Sequence, residues 1–175
     1  MNPPPRNLYV GSLPTGFGET LKVLIQGLGE VPATIEFALE KEKPDVTYII
    51  CSDYQRKNIA SAGGYTEPNE VIVERKAKET NTKVVWQLCD IFDVRSVGDA
   101  IAQVFKQIKP EDEVIINYTG GAASVKLLLG ASAVVLSKIM PIRLIYALRY
   151  KEGTEVYKDQ TEELKQIFKQ LYEFF

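Results

Sequence analysis

The stretch Val114–Leu136, VIINYTGGAASVKLLLGASAVVL, restricts the fold of this chain more than any other. It opens on Val114, Ile115 and Ile116, a β-branched run with the composition of a buried strand. It breaks at Thr119-Gly120-Gly121, where the glycines permit positive φ and close backbone approach. It then continues as a run rich in Ala, Leu and Val with the length of a helix. Strand, glycine turn and helix together present backbone N–H groups and a helix N-terminus to an anion. The same letters also describe a tight strand-to-helix turn with no ligand.

Several function classes fall away at once. A length of 175 residues suits one domain with a sizeable core. The net charge of −2 gives no basic surface for long nucleic acid, so a polyanionic ligand needs a local cluster of donors. The chain has no histidine, which removes Ser-His-Asp, Cys-His and histidine-rich metal sites. Cys51 and Cys89 end apolar runs and read as core residues rather than a disulfide or metal pair. No metal or cofactor is expected. Met1–Arg6 is proline-rich and lacks a signal-peptide pattern. The apolar run Leu127–Ile139, flanked by Lys126 and Lys138, is too short to cross a bilayer. A cytoplasmic location is the default expectation.

In chain order, Asn7–Ser12 reads as a first strand, followed by a loop with Ser12, Thr15, Gly11, Gly16 and Gly18. The loop lacks the G-x-G-x-x-G spacing of a dinucleotide site. Helices are expected over Glu19–Leu28, where Leu21, Leu24, Ile25 and Leu28 recur at helical spacing, and over Pro32–Lys41. Asp45–Cys51 is the second strand, and its exit carries the polar cluster Ser52–Lys57, where Ser52 or Asp53 also suits a helix cap. A helix over Asn69–Thr80 and a strand over Lys83–Cys89 follow, with Asp90 at the exit. Val94–Ile108 is an amphipathic helix, Glu113–Tyr118 the fourth strand and Gly121–Ile139 a buried helix. Pro141–Ala147 is the fifth strand, Gly153–Lys158 an edge strand and Thr161–Phe175 a last helix.

Strands alternating with helices predict an α/β fold with a doubly wound, mainly parallel sheet of five to six strands and helices on both faces. With strand order 3-2-1-4-5, the switch point lies between the first and fourth strands. The Ser12 loop and the Thr119-Gly120-Gly121 turn are then expected to face each other across one crevice.

The segment Ile116-Asn117-Tyr118-Thr119-Gly120-Gly121 resembles the N-x-T-G-G-T-K signature of CARF domains, the CRISPR-associated Rossmann folds. Pro44-Asp45-Val46-Thr47-Tyr48, leading into Ile49-Ile50-Cys51-Ser52, is similar to them too. The resemblance covers Asn7–Tyr150 and implies a tail over 1–6, a CARF-like Rossmann domain over 7–150, and an edge strand and helix over 151–175 packed on it. It implies a cyclic oligoadenylate ligand, a second messenger of type III CRISPR antiviral defence, held by a homodimer across its two-fold axis. The tetra-adenylate is expected ahead of the hexa-adenylate, although no motif encodes ring size. Ligand contacts are expected at Gly11, Leu13, Pro14, Thr15, Gly16, Ser52, Asp53, Tyr54, Gln55, Asp90, Asn117, Thr119, Gly120, Gly121, Ala122, Ser124 and Arg149.

The chain departs from the signature at its end. Ala122-Ala123 stand where the family has Thr-Lys, and Lys126 lies almost a helical turn further on. That lysine either reaches back to the turn or extends to solvent from a buried helix. The expected function is metal-independent ring opening, in which a ribose 2′-hydroxyl attacks its own phosphate, with Ser12 positioning the ribose and Lys126 supplying charge. The Ser12 role is implied by resemblance to ring nucleases with a serine after the first strand. The alternative is a non-catalytic sensor that binds the ring and regulates a partner effector. A metabolic nucleotide-binding protein, with one ligand per monomer, is a third class.

Overall fold

The computed structural model describes residues 20–149 and 153–173, over which strand and helix alternate. In chain order the elements are β1 (Lys22–Gly27), α1 (Ala33–Glu42), β2 (Val46–Cys51), α2 (Asp53–Lys57), α3 (Asn69–Glu79) and β3 (Lys83–Leu88). They continue as α4 (Val94–Phe105), β4 (Glu113–Asn117), α5 (Ala123–Leu136), β5 (Ile142–Arg149), β6 (Glu155–Asp159) and α6 (Thr161–Tyr172). The strands form one six-stranded sheet in the order β3-β2-β1-β4-β5-β6. All neighbours pair in parallel except β5 and β6, which are antiparallel. The α/β class, the mainly parallel sheet and the switch point between strands one and four agree with the sequence.

The strand that fills the first position is not the expected one. Lys22–Gly27 lies inside the segment read as a helix over Glu19–Leu28, and it pairs with β2 on one side and β4 on the other. Its apolar residues are buried on both faces, so it shows no alternation, and its spacing also fits a helix. Neighbouring strands decide the matter: Leu24 lies opposite Thr47 and Ile115, and Ile25 opposite Tyr48 and Ile116. The strand expected at Asn7–Ser12, with Gly11, Ser12, Leu13, Pro14, Thr15 and Gly16, lies outside the described residues.

Two apolar layers fix the sheet. On one face Leu24, Ile49, Ile115 and Ile145 pack with Phe37 and Leu39 of α1 and Val73 and Ala77 of α3. On the other, Val23, Ile25, Ile50 and Ile116 pack with Val97, Ile101 and Val104 of α4 and Val125 and Leu129 of α5. Each such side chain contributes roughly 1.5–3 kcal/mol when fully buried. At the opposite end of the sheet from the strand exits, buried Glu42 is held by Lys22 at 2.8 Å, by Arg143 at 3.1 Å and by the Tyr157 hydroxyl. Among the described residues no helix is long and apolar enough to cross a membrane.

Candidate functional site

At the switch point the β1 and β4 exits are pressed together. A β-carbon on Gly27 would meet the Gly120 carbonyl oxygen at 2.9 Å and the Gly121 Cα at 3.0 Å. One on Gly120 would meet the Gly27 carbonyl oxygen at 2.7 Å and Thr34 Oγ1 at 2.6 Å. Gly121 also has φ +105°, a left-handed conformation that costs other residues energy. The glycines of this turn are therefore required by backbone contact alone.

A buried polar relay holds the turn. Thr47 donates to the Leu24 carbonyl at 3.1 Å, and Gln26 Nε2 donates to Thr47 Oγ1 at 3.1 Å. Asn117 Nδ2 donates to Gln26 Oε1, and Asn117 Oδ1 accepts from the Thr119 N–H, both at 3.1 Å. Thr119 Oγ1 then accepts from the Ala147 N–H at 2.8 Å. The relay runs from β2 through β1 and β4 to β5. Asn117, 1% exposed, spends its side chain on the turn.

Helix starts differ around the sheet. Ser52 caps α2 by accepting from the Gln55 N–H at 3.1 Å, and Asp93 caps α4 by accepting from the Arg95 N–H at 3.0 Å. Four helices have no such cap: α3 after Pro68 and α6 after Gln160, and the two that flank the switch point, α1 after Pro32, with Glu36 in its first turn, and α5 after Ala122. The first turn of α5 holds no acidic residue. An α-helix leaves its first N–H groups without intrahelical partners. In parallel strand–helix units those groups open at the strand exits, so the uncapped turns of α1 and α5 border the same crevice.

Beside the crevice, the β1, β2 and β3 exits enclose a cleft of about 590 Å³ that includes Gly29, Glu30, Ser52, Tyr54, Gln55, Asn69, Ile91 and Phe92. Gln55 links its walls: Oε1 accepts from the Ser52 N–H at 3.0 Å, and Nε2 donates to the Leu28 carbonyl at 2.8 Å. Asp90 Oδ1 accepts from the Phe92 N–H at 2.9 Å, and Ser124 Oγ donates to the Ile91 carbonyl at 2.5 Å. Tyr54 and Phe92 are 75% and 93% exposed on the rim. Asp53 points away into ion pairs with Arg56 at 2.9 Å and Lys57 at 2.7 Å. The Lys57 hydrogen bond is the main reason that its carboxyl lies below the usual range.

The expected site residues thus divide. The crevice and cleft bring together Ser52, Tyr54, Gln55, Asp90, Asn117, Thr119, Gly120, Gly121, Ala122 and Ser124, several as holders of backbone rather than open contacts. Lys126 is exposed on α5 and makes no ion pair among the described residues. Arg149 is drawn to Glu40 and to Glu155, the latter at 2.9 Å, and its guanidinium lies 4.7 Å over the Phe37 ring. Leu28–Pro32, following β1, borders the Thr119-Gly120-Gly121 turn, with a β-carbon on Gly29 falling 3.4 Å from the Gly121 nitrogen, and the Ser12 loop lies outside the described residues. The sequence reading missed Gln26, Gly27, Glu30, Asn69 and Phe92. A polar residue followed by glycine inside an apolar run was the available signal for Gln26-Gly27. Among the described residues no three His, Cys, Asp or Glu side chains converge as a metal site.

No protein-family model and no curated protein matches the chain. Solved structures do share its fold. Enterococcus italicus Csm6, bound to cyclic hexa-2′-fluoro-hexa-dAMP, aligns with TM-score 0.58 and 13% identity over 78% of this chain and 36% of that one. Can2 from Sulfobacillus thermosulfidooxidans, in complex with cyclic tetra-adenylate, aligns with TM-score 0.53 and 12% identity over 77% of this chain and 36% of that one. The chain therefore spans about a third of the length of each, and at these identities the likeness is one of fold.

Proposed function

We propose that this chain is a CARF-type domain that binds a cyclic oligoadenylate in the crevice between the β1 and β4 exits, as a sensor in type III CRISPR antiviral defence. The observation that carries the reading is that α1 and α5, flanking the switch point, both start without a side-chain cap. The first-turn N–H groups of α5, where no acidic residue stands, suit phosphate oxygens. The fold shared with Csm6 and Can2, each solved with a cyclic nucleotide ligand, supports the same choice of anion. A ring with repeating phosphates is matched by two copies of the crevice about a two-fold axis, so the binding species is a homodimer. The tetra-adenylate is the favoured ring.

A second reading, ring opening, rests on Lys126, which is exposed near the start of α5 and free of ion pairs among the described residues. In it, a ribose 2′-hydroxyl gives its proton to solvent as its oxygen bonds to the adjacent phosphorus, the bond from phosphorus to the 5′-oxygen breaks, and that oxygen takes up a proton from solvent. The products are a 2′,3′-cyclic phosphate end and a 5′-hydroxyl. The helix N-termini and Lys126 would stabilise charge on the phosphorane oxygens.

The test is incubation of the purified chain with labelled cyclic tetra- and hexa-adenylate in EDTA, with bound and cleaved species resolved over time. Retention of an intact ring is the result expected for the sensor. Linear products ending in a 2′,3′-cyclic phosphate would establish the ring nuclease, and Ser12→Ala and Lys126→Ala would then be compared in the same assay. Failure to bind either ring would overturn the proposal.

A further inference from the structure

The last helix leaves its apolar face short of cover. Along α6, Leu164, Ile167, Phe168 and Leu171 recur at helical spacing, yet no residue of the helix is buried. Leu164 and Phe168 line a cavity of about 300 Å³ enclosed between α6, the C-terminal half of α5 and β5. Its floor is apolar, formed by the nearly buried Ala133, Ile142 and Leu144. Lys138, just past α5, spans the two helices: its Nζ donates to Tyr172 Oη at 2.8 Å and lies 4.3 Å over the Tyr172 ring. Walls of this kind gain contacts only when an apolar group lies between them.

Charge on the lining states what that group carries. Three lining residues are lysines, Lys138, Lys165 and Lys169, and none is a carboxylate, in a chain whose 23 acidic residues outnumber its 21 basic ones. Lys165 is drawn to Glu162 at 2.9 Å, a pair more than half exposed on both sides and so weakened by solvent. Lys138 and Lys169 make no ion pair among the described residues. Lysine stems also line apolar walls with their heads in water. The lack of any counter-charge on this lining is what favours an anionic head. At about 300 Å³ the cavity stands at the small end of ligand pockets, which suits a single short chain.

We infer that the cavity between α5 and α6 binds a single-chain amphiphilic anion, a medium-length fatty carboxylate. Its tail lies on Ala133, Leu144, Leu164 and Phe168, and its carboxylate accepts from Lys138 and Lys169. The tail buries apolar surface on both helices, and the head supplies the charge that the two ammonium groups lack. This site is independent of the crevice, which lies at the start of α5, whereas the cavity lies along its second half.

The experiment is a chemical-shift titration of the full chain with decanoate, decanol and hexanoate, each kept below its micelle threshold. Decanoate is expected to bind once per chain and to move the Ala133, Leu144 and Leu164 signals. Decanol has the tail without the charge, and hexanoate the charge on a shorter tail; each is expected to bind at least roughly tenfold more weakly. Lys138→Gln combined with Lys169→Gln should bring decanoate down to the level of decanol and leave decanol unchanged. Both lysines are exposed, so the double variant keeps its fold. Equal binding of decanoate and either comparison ligand overturns the inference. So does the absence of a response at Ala133, Leu144 and Leu164, or a double variant that binds decanoate as tightly as wild type. Cyclic tetra-adenylate titrated into the same sample reads the crevice separately, so the failure of one site leaves the other standing.

Discussion

Gly120 and Gly27 lie so close that a β-carbon on Gly120 would stand 2.7 Å from the Gly27 carbonyl oxygen. Backbone on both sides leaves nothing flexible to yield. Gly120→Ala should therefore destabilise the chain by about 1–3 kcal/mol or more. Gly29→Ala, whose nearest neighbour would be the Gly121 nitrogen at 3.4 Å, should cost far less. Thermal unfolding compares them, at about 2–4 °C per kcal/mol for a chain of this size.

Asn117→Ala strands the Thr119 N–H and Gln26 Oε1, both of which Asn117 satisfies at 3.1 Å. Two orphaned groups at about 1–3 kcal/mol each predict a loss of roughly 2–6 kcal/mol in urea unfolding. Asn117→Asp keeps an acceptor for the Thr119 N–H but sets a buried, unpaired carboxylate against Gln26 Oε1, and should be no more stable than Asn117→Ala at neutral pH.

The Glu40 carboxyl is held down from 4.5 to about 2, chiefly by its hydrogen bond with Arg149 and also by Lys76. Its folded value lies below its unfolded one, so its stabilisation is complete above pH 4.5 and lost as pH falls through about 2. The pairs are partly exposed, which limits the effect to about 0.5–1 kcal/mol. Glu40→Gln should be less stable than wild type at neutral pH, and the gap should close in acid.

Lys126→Ala should weaken cyclic tetra-adenylate binding roughly tenfold, as expected for a lost hydrogen bond to a charged group. It should also flatten the salt dependence of binding. Titration at two ionic strengths reads both effects. No change in either would make Lys126 a solvated surface residue.

The sheet order was legible because β2, β3, β4 and β5 are short apolar runs closed by turn residues. β1 was not: buried on both faces, Lys22–Gly27 carries no period-two signal, and Leu21, Leu24, Ile25 and Leu28 fit a helix as well. Only pairing with Val46–Ile50 and Glu113–Asn117 settles it. Around the site, the Asn117–Gly121 segment announced its place, but its chemistry is largely internal. Thr119 caps a neighbouring strand, and Asn117 holds Thr119. Arg149 stood at a strand exit, but carboxylates on α1 and β6 capture it.

Gln55 has a kinetic consequence. One amide caps α2 from within and grips the Leu28 carbonyl across the cleft, while the Gln55 carbonyl accepts from Asn69. Segments after β1, after β2 and at the start of α3 therefore cannot loosen independently. In hydrogen exchange they should behave as one cooperative unit, opening and closing with a shared free energy. Ligand held at any one of the three would then slow exchange at the other two.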